Sequence, residues 1–250
     1  MNDLPDSIDA TCRTCSKSFA AAICRSPFDP TKVLATQRHC DPCLRQIETK
    51  TAEANALSRA QEARRRIFNA WEGICPIEFR NELEGGFHDE QRFFADQPAA
   101  KQVTEHPYSG KGLILRGQTD AGKTRAMWCL MRRYWAEVPR LRLIALSAGQ
   151  FDREARDAAG TFTLTAWFDR LARADALFID DIGKGKWTPA TSGQFWELVD
   201  DRCKHHRPIY LTTNLNGETL VTSLGLERDI AEPLLRRLRQ YCDVIVLKKS

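Results

Sequence analysis

No run of apolar residues in this 250-residue chain approaches the roughly 18 to 20 that a membrane-spanning helix needs, so no membrane role is expected. The start of a signal peptide is also missing, because "MNDLPDSIDATC" is polar and acidic. Charge of one sign is not in excess. The 37 Lys and Arg face 33 Asp and Glu, and a net charge of +4 does not by itself establish a nucleic-acid partner. Internal repeats and low-complexity tracts are lacking too. These absences predict a cytoplasmic globular protein with reduced thiols. Its nine cysteines are then assigned to metal binding or burial before disulfides. With 42% hydrophobic and 28% charged residues, there is room for one full α/β domain and a small appendage.

Cysteine is concentrated at one end. Cys12, Cys15, Cys24, Cys40 and Cys43 precede residue 50, while Cys75, Cys129, Cys203 and Cys242 are scattered singly. Cys12-x-x-Cys15 and Cys40-x-x-Cys43 each place two thiolates within reach of one ion, and two such pairs complete a tetrahedral Zn²⁺ site. The gap between them is longer than in most zinc ribbons. Cys24 inside the gap and His39 beside Cys40 are alternative ligands. The segment has too little apolar residue to bury its cysteines, and a piece so small and polar needs a metal to fold. A zinc module is therefore expected over residues 1–48.

A helical linker and connecting segment is expected over 49–110. "LRQIETKTAEANALSRAQEARRRIF" is polar, rich in Ala, Glu, Gln and Arg, and free of Gly and Pro, which predicts a solvated helix. Pro76, Gly85, Gly86, Pro98, Pro107 and Gly110 then predict irregular connections around short helices.

From residue 111 the pattern changes. Continuous apolar runs at 112–117, 141–147, 176–182, 208–214 and 243–248 predict strands buried on both faces, as in a parallel sheet. Met127, Leu130, Met131, Tyr134 and Trp135 form one helical stripe, and Phe195, Leu198, Val199 and Cys203 another, both assigned to core packing. The expected fold of residues 111–250 is α/β, with a five-stranded parallel sheet flanked by helices.

Gly117-Gln118-Thr119-Asp120-Ala121-Gly122-Lys123-Thr124 fits G-x-x-x-x-G-K-[ST], between a strand and an amphipathic helix. Glycines allow backbone N–H groups to turn toward phosphate oxygens, and the helix N-terminus adds its positive dipole end. Lys123 is expected at the β and γ phosphates of ATP, and the Thr124 hydroxyl on Mg²⁺. Asp120 is repulsive to a polyphosphate, so its side chain is expected to point outward. "ALFIDDIG" supplies acids at the end of a buried strand: Asp180 to hold Mg²⁺, Asp181 to orient or deprotonate the attacking water. In "LTTN", Asn214 stands at a strand tip, where it can contact the γ-phosphate or the water.

The order of P-loop, "IDDIG", "LTTN" and "PLLRRLRQYCDVIVL" resembles the AAA+ ATPases of bacterial and phage replicative-helicase loaders, the DnaC/DnaI type. It is also similar to their IstB-type transposition relatives. The resemblance covers about residues 111 to 250. It implies ATP hydrolysis by a homo-oligomer, with Asn214 as sensor I and an arginine acting on the neighbouring subunit's ATP. Arg237 best matches that finger, and Arg236 is its nearest rival. It also implies a replicative helicase gripped through the zinc module, and single-stranded DNA as a partner. Two features depart from many AAA+ proteins. Asp181 replaces a longer Glu, which predicts slow hydrolysis, and the chain is expected to have no C-terminal lid. Residues 148–173 fall where loaders carry an extra helical element. Arg153, Arg156, Arg170 and Arg173 there either line a DNA pore or belong to an ordinary solvated helix. The rival readings are an IstB-type ATPase that regulates a transposase on duplex DNA, a P-loop small-molecule kinase, and a module in which ATP only promotes assembly.

Overall fold

The structure, a computed structural model, describes residues 7–29, 31–79, 90–185 and 187–248. Gly85 and Gly86, expected in a connection, lie outside the described residues. The chain falls into two units, Met1–Ile67 and Phe68–Ser250.

The first unit opens with an antiparallel sheet of β1 (Ser7–Thr11), β2 (Ser18–Arg25) and β3 (Val33–Thr36). Ser7 pairs with Ala22, and Ile23 with Thr36. These strands carry no clear signature in the sequence. Alanine is a poor strand former, and "SFAAAICR" lacks the β-branched and aromatic density that marks one. Helix α1 (Asp41–Ile74) follows as 34 continuous residues. Pro42 is tolerated in its first turn, where N–H groups lack intrahelical partners in any case. Its end falls just before Cys75-Pro76, as expected where the residue preceding proline is driven out of the helical region.

The second unit contains β4 (Gly112–Gly117), β5 (Leu143–Ser147), β6 (Ala176–Asp180), β7 (Ile209–Thr213) and β8 (Cys242–Leu247). They form one parallel sheet in the order β5-β6-β7-β4-β8. This is the predicted five-stranded α/β architecture. Period-two alternation sends successive residues into two cores. Leu177 and Ile179 enter one with Phe195 and Leu198, whereas Phe178 and Tyr210 enter the other with Leu115 and Met127. Helices α3 (Pro98–Glu105) and α4 (Lys123–Glu137) cover the second core. Helices α5 (Ala148–Gly160), α6 (Leu164–Ala172), α7 (Pro189–Lys204), α8 (Gly217–Ser223) and α9 (Arg228–Tyr241) cover the first. The short helix α2 (Glu90–Asp96) precedes α3. The stretch expected only to connect contributes buried Trp71, Cys75, Ala100 and Val103.

Two close approaches need glycine. A Cβ on Gly112 would lie 2.0 Å from the Ile209 carbonyl oxygen, and one on Gly117 2.2 Å from that of Leu247. Both are backbone atoms in neighbouring strands, which cannot yield.

Arg202 is 0% exposed. Its guanidinium donates to the carbonyls of Leu171 at 2.7 Å, Ala172 at 3.2 Å and Ala174 at 3.0 Å, and to Pro208 at 2.6 Å. It thereby satisfies carbonyls that the end of α6 leaves without helical partners. Burial lowers its pKa to about 10. Arg202→Met would strand these acceptors, and the expected cost is about 3 kcal/mol. Urea unfolding of the full chain, followed at tryptophan, checks this. An unchanged midpoint would refute the structural role.

Candidate functional site

The loop from Gly117 to Gly122 joins the end of β4 to the start of α4. Asp120 and Gly122 both have left-handed backbone, with φ of 65° and 78°. A Cβ on Gly122 would approach the Phe93 ring to 2.5 Å, so glycine is needed there for space as well as for conformation. Lys123, only 5% exposed, donates from Nζ to the Gln118 carbonyl at 2.8 Å. Burial lowers its pKa, while Asp181, Asp180 and Asp120 act in the opposite sense. Asp120 itself is exposed and stands at the rim of the cleft.

Asp180 ends β6 and is separated from the P-loop strand by β7. Thr124 Oγ1 nevertheless lies 2.9 and 3.1 Å from its two carboxylate oxygens. Thr212 of β7 donates to the same carboxylate and accepts from the Asp181 N–H at 2.8 Å. Burial raises the Asp180 pKa, and the hydrogen bonds from Thr212 and Thr124 oppose that rise. Asp181 has φ of 59°, and its carboxylate pairs with Lys184 Nζ at 3.0 Å. From the tip of β7, Asn214 Nδ2 donates to Thr119 Oγ1 at 3.2 Å.

Thr119, Asp120, Lys123, Thr124, Asp181 and Asn214 line one cleft of about 600 Å³, and Asp180 is joined to it through Thr124. Its carboxyl-end position on a parallel sheet is where doubly wound folds bind ligands. A hydroxyl beside a half-buried carboxylate, in a cleft that also holds a buried lysine, has the oxygen donors that suit Mg²⁺ and the positive charge that suits a polyphosphate. Sequence reasoning missed Phe79, Phe93, Gln97 and Lys184, which also line the cleft. The rings give it an apolar wall beside its charged end. Their only sequence signal was aromatic content within a segment read as a connection.

The arginines of α9 differ. Arg237, with its side chain 25% exposed, pairs through Nε with Asp200 of α7, and its Cζ lies 4.8 Å from the centre of the Trp196 ring. Its guanidinium is thus engaged within its own chain. Arg236 is exposed and forms no ion pair among the described residues. In α5 and α6, Arg156 pairs with Asp152 at 2.8 Å, Arg170 with Glu154 at 2.6 Å, and Arg173 with Asp169 at 3.0 Å. Arg153 is exposed. This pairing is that of a solvated helical surface.

In the first unit, one ligand atom from each of Cys12, Cys15, Cys40 and Cys43 lies within 4.8 Å of all the others. Four thiolates at about 2.3 Å from one tetrahedral Zn²⁺ would stand about 3.7 Å apart. Cys15 Sγ and Cys40 Sγ are 3.7 Å apart. The alternatives lie outside the cluster: Cys24 is exposed on β2, and His39 Nδ1 bonds Thr14 Oγ1 at 2.9 Å. The backbone N–H of Cys15, aided by those of Cys40 and Thr14, brings the Cys12 pKa down to about 5. Hydrogen bonds with Cys40 and Cys15 push that of Cys43 up to about 12. Thiols this close cannot all ionise without a cation, and the chemistry of the set fits Zn²⁺.

Purified protein is accordingly expected to carry about one zinc per chain. Cys12→Ser or Cys43→Ser should lose it, and a Cys24→Ser, His39→Ala double variant should keep it. Metal analysis of the three proteins decides; zinc loss only in the double variant would overturn the ligand set.

No family model matches the chain. The phage-like element PBSX protein XkdC of Bacillus subtilis (strain 168) is 26% identical over 196 residues, 74% of this chain and 68% of that protein. The DnaI crystal structure matches 70% of this chain and 93% of its own, with 20% identity and a TM-score of 0.52. The DnaC helicase loader matches 69% of this chain and 100% of its own, with 15% identity and a TM-score of 0.51. Against the longer DnaA chain of Aquifex aeolicus, the match spans 44% of that chain. The resemblance carried by the P-loop, "IDDIG" and "LTTN" therefore extends to three dimensions: this chain has the P-loop fold that DnaI and the DnaC helicase loader share.

Proposed function

We propose that this protein binds and hydrolyses ATP and, in DNA replication, loads or remodels a replicative helicase on single-stranded DNA. The observation that carries the nucleotide part is the meeting of Thr124 Oγ1 with both oxygens of Asp180, in a cleft that also presents Lys123 and Asn214. Lys123 would face the β and γ phosphates. Thr124 and Asp180 would hold Mg²⁺, which would supply positive charge to offset that of the phosphates. Asp181 would orient or deprotonate the attacking water, and Asn214, which donates to Thr119, would contact the γ-phosphate or that water. The loader part is supported by the shared fold and by a cysteine cluster in a separate unit, which would dock on the helicase. Among the described residues, no helix is long and apolar enough to cross a membrane.

Helicase capture tests the partner. The full chain should retain the replicative helicase of its host in a pull-down, and Cys12→Ser, Cys43→Ser protein should retain it at least tenfold less. If a transposase is retained instead and the helicase is not, the IstB-type reading replaces this one.

A second test concerns catalysis shared between copies. We propose Arg236 as the arginine that acts on a neighbour's ATP, because Arg237 is committed to Asp200 and Trp196. A fully engaged arginine of this type is worth on the order of 10³-fold or more in rate. Arg236→Ala has an intact pocket and Lys123→Ala an intact arginine, and each should be inactive alone. Mixing them should restore hydrolysis at mixed interfaces. A mixture that co-assembles yet stays inactive would rule out sharing through Arg236. Full activity of Arg236→Ala alongside inactive Arg237→Ala would return the role to Arg237.

A further inference from the structure

The turn after Asp181 carries a further cation into the cleft, in addition to Lys123 and Arg125. The Lys184 N–H donates to the Asp181 carbonyl at 3.1 Å, closing the turn. Gly183 and Gly185, on either side of Lys184, have φ of 88° and 105°. Gly183 is enclosed, since a Cβ there would meet Leu215 at 2.6 Å and Ser223 at 2.9 Å. Gly185 has nothing within 4 Å of such a Cβ. One side of the turn is therefore anchored and the other open.

The Lys184 side chain is 74% exposed, yet its ammonium is directed to Asp181 at 3.0 Å. That ion pair raises the lysine's pKa, so the ammonium is charged at neutral pH. Lys184 lines the same cleft as Thr119, Lys123, Asp181 and Asn214. An exposed single ion pair is weak, typically under about 1 kcal/mol. A terminal phosphate with two charges outcompetes one carboxylate for a mobile ammonium.

We infer that Lys184 is a cation for the γ-phosphate that exchanges between Asp181 and the nucleotide, so that the cleft distinguishes a triphosphate from a diphosphate. The inference rests on the nucleotide reading of the cleft. Lys123 is buried against its own loop and is suited to the β and γ phosphates of any bound nucleotide. Lys184 enters the same cleft from the turn after β6, beside the acid proposed to handle the water. With the ammonium on the γ-phosphate, the Asp181 carboxylate loses its ion-pair partner and is released to the water. Without a γ-phosphate, the ammonium stays on Asp181 and holds it out of use. ADP then satisfies the loop but leaves the acid paired.

Equilibrium binding to the full chain with Mg²⁺ tests this, using competition by ADP and by the non-hydrolysable triphosphate analogue AMP-PCP. Lys184→Met should weaken AMP-PCP about tenfold or more and leave ADP within about twofold. Lys184→Arg should preserve the preference. Asp181→Asn, which releases the ammonium, should tighten AMP-PCP relative to ADP, and this gain should vanish in the Asp181→Asn, Lys184→Met double variant. Equal weakening of both nucleotides by Lys184→Met, or no effect on either, would overturn the inference. So would an Asp181→Asn gain that persists in the double variant, since Lys184 would not be its source. Failure of the parent chain to bind ADP would defeat the nucleotide reading itself.

Discussion

One half-buried carboxylate ties the P-loop helix to the neighbouring strands of the sheet. Asp180 stands at the tip of β6, and its oxygens take hydrogen bonds from Thr124 of α4 and Thr212 of β7. Three elements that are far apart in sequence thus converge on one charge. Thr212 passes the constraint on, because its oxygen also accepts from the Asp181 N–H. Beyond Thr212, Asn214 reaches back to Thr119 in the P-loop. The row can be followed in either direction, and each member fixes the next. The sheet order makes this possible: with β7 between β4 and β6, its hydroxyl and amide lie between the P-loop and the acids. Such a carboxylate is costly in the protein alone. Its folded-state pKa is raised by burial, so the stability of the fold is greater where Asp180 is protonated and falls as pH rises through that pKa. A divalent cation with its nucleotide would recover that loss by binding only the folded form. At neutral pH the charge on Asp180 therefore costs the fold stability.

The two units solve the problem of size differently. The second has two large apolar cores, one on each face of its sheet. The first has few buried side chains, among them Cys12, Ala21 and Cys43. A three-stranded sheet with so little core is marginal without a cross-link. Four cysteines in one cluster provide the place for it, and two of them flank the start of α1. Metal affinity and folding of this unit are then one equilibrium.

Much of this was legible in the sequence. The β4 run was read at its observed bounds, and the other four runs at most two residues off at either end. Continuous apolar segments buried on both faces leave little ambiguity. The P-loop, the acid pair and the cysteine pairs were legible because their chemistry fixes residue type and spacing together. What stayed hidden depended on tertiary context. Arg202 sits in "LVDDRCKHH" and reads as a surface cation, yet carbonyls from α6 and from the turn before β7 bury it. Phe79 and Phe93 carry no spacing signature, since an apolar wall needs only a ring of the right size at the right place. Arg237 and Arg236 are adjacent in sequence and equal in chemistry. Only the side of α9 that each occupies separates them.

The contrast between those two arginines bears on the cost of acting across a boundary between chains. A guanidinium that reaches into another molecule's cleft must first give up, or keep while extending, its contacts in its own. Arg237 has a carboxylate and an aromatic face beneath it, and withdrawing it would break both contacts. Arg236 is exposed in a groove beside Glu218, Glu232 and Arg239, and moving it breaks no such pair. Lys184 lies between these extremes. Its partner is a single carboxylate at the protein surface, strong enough to aim the ammonium and weak enough to release it. Among these three cations the resting contact differs in strength, and with it the cost of sparing the charge for a ligand.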